Sequence, residues 1–220
     1  MLNIKNIEVF NFENALRGMR NPLESWGQSD SDYTLTSDYI LTEKNFPVYY
    51  KGYISIGEKD YDLALKLIMA GSDHSKFMRQ IFITMDIIAP LYWWKEMDTY
   101  KVGTVSNSTS TMHKLGHRLL STEDFSWDKI TPYRDNTLHY LNKMITTWKQ
   151  GGSKDRDLWR EIIQDLPSSY NQLRTWSANY QILRNIYFAR KSHKLKEWHK
   201  FCDFIESLPY SELITISKEE

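Results

Sequence analysis

Residues 80–87, QIFITMDI, constrain the fold more than any other stretch, because they alternate. Ile81, Ile83, Met85 and Ile87 share one side, and Gln80, Thr84 and Asp86 the other, with Phe82 the exception. A period of two with one apolar face predicts a half-buried strand. Ala89-Pro90 follows, and proline is tolerated in the first turn of a helix, so PLYWWKEMDTY reads as a short helix leaving that strand.

The rest of the chain is arranged around this strand-to-helix step. Residues 1–10 are β-leaning with imperfect alternation, and ENALRGMRNP reads as a short helix stopped by Pro22. SWGQSDSDYTLTSD is a polar loop, and 47–56, PVYYKGYISI, reads as a strand. DYDLALKLIMAG is a helix ended by Gly71, with His74 in the connector after it. TPYRDNTLHYLNKMITTWKQ, closed by Gly151-Gly152, and DRDLWREIIQD are two further helices. Ser169 and Gln172 are spaced as a capping box for a helix starting near Tyr170. Trp176, Tyr180, Leu183 and Tyr187 form its stripe, and it is expected to run to Phe204 with a break near Ser192. Strands early and helices late predict an α+β protein, as a single domain over residues 1–220.

The formal net charge is zero, so no global field favours nucleic acid or an acidic membrane. Cys202 is the single cysteine, which leaves no disulfide or cysteine-based zinc site within one chain, and its setting in WHKFCDFI predicts a packed thiol. With no basic leader and no apolar run of membrane length, a cytoplasmic protein is expected. Eight Trp and fourteen Tyr suggest stacking sites or subunit interfaces alongside an aromatic core.

The chemistry centres on residues 89–113, APLYWWKEMDTYKVGTVSNSTSTMH. After Lys101 and Gly103 come Thr104, Ser106, Asn107, Ser108, Thr109, Ser110 and Thr111. So many small polar side chains suit a loop or first helical turn offering donors to an anionic ligand, and a solvated linker is the other reading. His113 and His117 are four apart, but Lys114 stands where a zincin has its glutamate, and Gly116 weakens a helix there. Lys191, Lys194, Lys196 and Lys200 read as the wet face of an amphipathic helix. Arg190 differs because it ends the apolar run NIYFA, where a guanidinium can grip a phosphate or carboxylate. Asn179 and Asn185, six apart in the same apolar helix, need partners there, either structural or a heteroaromatic ligand. The sequence contains no nucleophile elbow, P-loop or GxGxxG.

Two stretches together resemble the flavin-dependent thymidylate synthases. The family signature is Arg-His-Arg, two residues, Ser, one, Asn-Glu, one, Ser, one, Arg. In the same spacing this chain has Thr99-Tyr100-Lys101, Thr104, Ser106-Asn107, Thr109 and Thr111, and a one-residue slip would instead match Asn107 and Ser110. The family's Leu-Pro, Trp-Thr-x-Asn, later Asn and closing Arg are matched by Leu166-Pro167, Trp176-Ser177-Ala178-Asn179, Asn185 and Arg190. The matched parts are roughly residues 71–113 and 160–205. The departures are two signature arginines, the glutamate, and the arginine before Leu-Pro, where Ile163 stands.

The resemblance implies an antiparallel sheet with a mostly helical C-terminal half. It also implies a homotetramer with FAD and deoxyuridine monophosphate where subunits meet, the flavin carrying one-carbon chemistry. Carried over by position, Lys101, Thr104, Asn107, Asn179 and Asn185 would contact the cofactor, and Thr109, Ser110, Thr111 and Arg190 the nucleotide. No protein nucleophile is implied. Three readings stay open: a divergent thymidylate synthase-like methyltransferase, active or not, a non-catalytic protein binding or sequestering a nucleotide-like small molecule, and a purely structural or partner-binding protein.

Overall fold

The computed structural model describes residues 2–34, 39–41, 47–50 and 53–217. In chain order the elements are β1 (Asn3–Phe10), α1 (Phe12–Arg20), β2 (Asp32–Thr34), β3 (Tyr39–Leu41), β4 (Pro47–Tyr50), β5 (Tyr53–Ser55) and α2 (Glu58–Ala70). Then come β6 (Phe82–Pro90), α3 (Leu91–Met97), β7 (Val105–Ser108), α4 (Thr111–Lys114), α5 (Pro132–Gln150) and α6 (Arg156–Gln164). The chain ends with β8 (Asn171–Asn179), α7 (Tyr180–Arg190), α8 (Lys196–Glu206) and α9 (Glu212–Thr215). Among the described residues no helix is long and apolar enough to cross a membrane.

A six-stranded sheet has the order β3-β4-β1-β6-β8-β7, and β2 and β5 form a separate antiparallel pair. β3 and β4 are antiparallel, while β1 and β4 are parallel with Ile7 opposite Val48. Thr84 bonds Ser177 at 3.0 Å, Asp86 bonds Thr175 at 2.6 Å, and Leu91 N–H donates to Tyr170 C=O at 3.0 Å. Numbers on β6 rise as those on β8 fall, so these strands are antiparallel. Asn6 to Asp86 and Asn11 to the Gln80 carbonyl run the same way for β1 against β6.

The expected strand over 80–87 is β6, with Ile81, Ile83, Met85 and Ile87 each at 1% exposure or less. The expected single strand over 47–56 is two strands in different sheets, β4 and β5, with 51–52 outside the described residues. The expected helix from Tyr170 begins only at Tyr180. Residues 171–179 are β8, where Gln172, Trp176 and Ala178 are buried and the intervening positions are not. A strand's period of two has displaced the helical stripe at Trp176, and Asn179 rather than Ser169 caps the helix.

The chain divides into two compact units. One comprises Met1–Asn3, Ile87–Thr99 and Asn107–Arg174. Its core is Leu115, Leu120, Phe125, Leu141, Met144, Ile145 and Ile162. Here α5 starts on Thr131, whose hydroxyl accepts from Arg134 N–H at 3.3 Å, with Pro132 in the first turn, and stops at Gly151. α6 starts on Asp155, whose carboxylate accepts from the Asp157 and Leu158 N–H groups. Trp148 and Trp159 pack at 4.5 Å between ring centres, and Gly116 lies flush on them. A Cβ at Gly116 would stand 2.7 Å from Trp148 Cζ3 and 3.0 Å from Trp159 Cζ3. Gly116→Ala is therefore expected to destabilise by about 1–3 kcal/mol, and an unchanged denaturant midpoint would show that the rings yield freely.

The other unit comprises Ile4–Asp86, Tyr100–Ser106 and Thr175–Glu220. Phe12, Leu16, Met78, Tyr180, Trp198, Phe201 and Phe204 are among its buried residues. Cys202 is buried, as expected, and burial pushes its thiol up to about 12. The N-terminus of α2 has no cap from its own Gly57. Asp30 supplies it from the expected polar loop, accepting from Lys59 N–H at 3.0 Å and Asp60 N–H at 3.1 Å.

Candidate functional site

The hydroxyl stretch is not one continuous loop. Gly103, at φ 75°, turns the chain, residues 105–108 form β7 at the end of the sheet, and Thr111 opens α4. Several of the small polar groups serve the backbone. Thr104 Oγ1 donates to the Tyr100 carbonyl at 2.6 Å, and Thr109 Oγ1 and N–H both donate to the Leu173 carbonyl. Ser110 caps α4 by accepting from His113 N–H at 3.3 Å. Ser106, Asn107 and Ser108 are exposed. His113 and His117 are exposed as well, and among the described residues no three His, Cys, Asp or Glu side chains group to hold a metal.

Within the unit that contains Tyr100–Ser106, the loop lies along α7. A Cβ at Gly103 would meet Ile182 Cδ1 at 3.0 Å and Asn179 Nδ2 at 3.8 Å, so the loop touches the first turn of the helix. Tyr100 reaches its last turn, where Arg190 Nε donates to the Tyr100 hydroxyl at 2.8 Å. The Arg190 guanidinium lies 4.7 Å from the Trp198 ring centre and 5.5 Å from that of Tyr100. Lys101 is exposed beside it in sequence. Asn179, expected to be an amide inside an apolar helix, is the cap of α7 and accepts from Ile182 N–H at 3.1 Å. Asn185 is exposed and accepts from Gln181 Nε2 at 3.1 Å. Lys101, Thr104, Asn179, Asn185 and Arg190 thus fall in this unit.

Asn107, Thr109, Ser110 and Thr111 fall in the other unit. Thr109 helps line a cavity of about 640 Å³ there, with Arg118, Glu123, Asp124, Tyr170 and Asn171. Ser110 and Thr111 are not among the lining residues. Arg118 forks onto Asp124, with Nη1 to Oδ2 at 2.7 Å, and Ser121 N–H donates to the same carboxylate at 2.8 Å. Burial pushes the Asp124 carboxyl up, but the hydrogen bonds from Arg118 and Ser121 and the charge of Arg118 outweigh it and the net shift is downward. Burial, then the Asp124 charge, raises the Tyr170 hydroxyl. One cation and two carboxylates line this cavity, so it does not attract a phosphate.

Sequence reasoning passed over Arg118 and Arg174. Arg118 and Asp124 are six apart in a polar stretch, which reads as solvated charge. Arg174 lies in what was expected to be a helix. It bonds Asp98 at 2.8 Å, donates to Gln172 Oε1 at 3.0 Å, and its guanidinium lies 4.3 Å from the Trp94 ring centre. Gln172 Nε2 in turn donates to the Thr109 carbonyl at 2.8 Å. The alternation of β8 was the signal that could have placed Arg174 on a strand.

No family model matches the chain, and no curated protein matches it. Solved structures do. The crystal structure of thymidylate synthase X (ThyX) from Helicobacter pylori with FAD and dUMP superposes with a TM-score of 0.70, at 15% identity, over 98% of each chain. A second structure, of the flavin-dependent thymidylate synthase ThyX from the same organism complexed with FAD and dUMP, gives 0.68, 16% and 97% of each chain. At such low identity the likeness concerns architecture, and the chain has the fold of the flavin-dependent thymidylate synthases.

Proposed function

We propose that this chain is a divergent protein of that fold that binds a pyrimidine nucleotide of the uridine type, with Arg190 contacting the phosphate. The observation that carries the reading is the setting of Arg190. It matches the family's closing arginine in the sequence pattern, and its guanidinium is half-buried, braced by Tyr100 and Trp198. A half-buried guanidinium makes charge-assisted bonds to a phosphate more strongly than the solvated lysines of α8 would. The similar proteins from Helicobacter pylori were crystallised with dUMP, which supports the same ligand class here.

The signature loop and Asn179 do not fit the diphosphate of FAD. The Thr104 hydroxyl already donates to the Tyr100 carbonyl, Asn179 offers only a neutral amide N–H, and Lys101 is the one cation left in the signature loop. A diphosphate held by neutral donors forgoes charge-assisted bonds worth about 1.5–3 kcal/mol each. This favours non-catalytic binding or sequestration of the nucleotide. Flavin-dependent one-carbon transfer to a uridine nucleotide is the second reading, favoured by a match that spans 98% of both chains.

A homo-oligomer, a tetramer as in the family resemblance, belongs to the same proposal. β7 ends the sheet with all four residues exposed, and Val102 and Val105 are 92% and 70% exposed. An open edge carrying apolar side chains is normally covered by another chain.

Thermal unfolding with and without dUMP tests the nucleotide reading. Ligand at one hundred times its Kd stabilises by about 2.7 kcal/mol, so a clear rise in Tm is expected, with light scattering on the same sample reporting more than one chain. An unmoved Tm at millimolar dUMP sinks the proposal. A yellow protein that releases a flavin on denaturation transfers it to the flavin reading.

A further inference from the structure

We propose that Tyr100 is a positioning residue that aims Arg190 at the phosphate, an inference that rests on the nucleotide reading above. Arginine side chains are long and rotamer-rich, so a free one loses freedom when it grips an anion. Arg190 has that freedom removed in advance by three observed contacts. Its Nε donates to the Tyr100 hydroxyl at 2.8 Å, which fixes one edge of the fork. The Trp198 ring lies 4.7 Å from the guanidinium carbon and the Tyr100 ring 5.5 Å, which limits the tilt of its plane.

The brace is itself rigid. Trp198 is fully buried, meets Tyr100 edge-on at 6.2 Å and packs on Phe201 at 6.0 Å. Tyr100 is anchored at its backbone too, because its carbonyl accepts from Thr104 Oγ1 at 2.6 Å. The loop that lost two of the signature's arginines therefore retains a part in binding: it holds a cation supplied by α7. Tyr100 stands at the histidine position of the Arg-His-Arg pattern, and its longer, hydroxyl-bearing ring makes this contact.

The side-chain chemistry separates two effects. Tyr100→Phe keeps the ring and its packing but removes the acceptor, whereas Tyr100→Leu removes both. The affinities of dUMP and deoxyuridine are measured by calorimetry for wild type and Tyr100→Phe. If the hydroxyl orients a phosphate-binding guanidinium, dUMP binding weakens about tenfold while deoxyuridine is unchanged. Equal weakening of both ligands, or of neither, overturns the positioning role.

A second measurement is independent of ligand. In ¹⁵N NMR the Arg190 Nε–H, assigned from its loss in Arg190→Lys, is expected to exchange slowly with solvent and to speed up in Tyr100→Phe. An unchanged exchange rate refutes the brace. Wild type that binds neither ligand, with slow exchange retained, removes the nucleotide reading and the aiming of Arg190 with it, and leaves the brace as a staple of the loop onto α7.

Discussion

Asp60→Ala is expected to cost about 3–5 kcal/mol of folding stability, the largest effect of any substitution considered. Asp60 is fully buried and bonds Arg20, itself only 4% exposed, at 2.6 Å. Its second oxygen accepts from Ser29 at 2.6 Å and Ser31 at 2.5 Å. Arg20 also donates to the carbonyls of Ser25 and Gln28. Removing the carboxylate leaves a buried cation and two hydroxyls unmatched, and loosens the segment whose Asp30 caps α2. Urea denaturation measures it, and a loss below about 1 kcal/mol would mean that water reaches Arg20 readily.

The same group gives a pH dependence with a definite sign. Burial pushes the Asp60 carboxyl up, but the hydrogen bonds from Ser29, Ser31 and Arg20 and the charge of Arg20 outweigh it. The net result lies below the ordinary 3.8. A carboxyl depressed by folding contributes its full stabilisation above that ordinary value, and loses it as pH falls through the lower folded value. Stability attributable to Asp60 should therefore be intact at neutral pH and drain below about pH 4. The Asp60→Asn variant should show a flatter acid limb than wild type.

Arg190→Ala is expected to weaken dUMP binding by about 1.5–3 kcal/mol, or roughly ten- to a hundred-fold. Lys196→Ala, an exposed cation at the start of α8, should change it less than about twofold, as solvated charges usually do. The contrast matters more than either value. If both variants titrate like wild type, Arg190 has no part in binding. If both lose affinity equally, diffuse charge rather than a shaped contact holds the ligand.

The α+β class, β6, α2, α3, α5 and α6 were legible because each follows one period with ordinary stops. β1 looked irregular for a reason now visible. Asn6 adopts φ 52°, which inserts one residue and lets Ile4, Ile7 and Val9 all be buried. β8 was hidden because Trp176, Tyr180, Leu183 and Tyr187 also fit a helix, and the strand-to-helix junction at Asn179 lies inside that stripe. Of the site, Arg190 was legible as a cation at an apolar edge. Its partner Tyr100 was named only by its place in the signature spacing, and nothing in the sequence joins it to a residue 90 positions away. Thr109 and Ser110 were singled out for their hydroxyls, which the structure shows bonding backbone groups.

The pairing of β6 with β8 has a kinetic consequence. Its side-chain rungs join residues 89 and 93 positions apart, whereas α5 and α6 between them can form from neighbours. Distant pairings lose chain entropy before they gain contacts, so they close late and slowly. During that interval the apolar face of β6 has no cover, and newly made chains at high concentration would stick together rather than mature. Slow, dilute refolding, or synthesis at reduced temperature, should recover more native protein than rapid expression does.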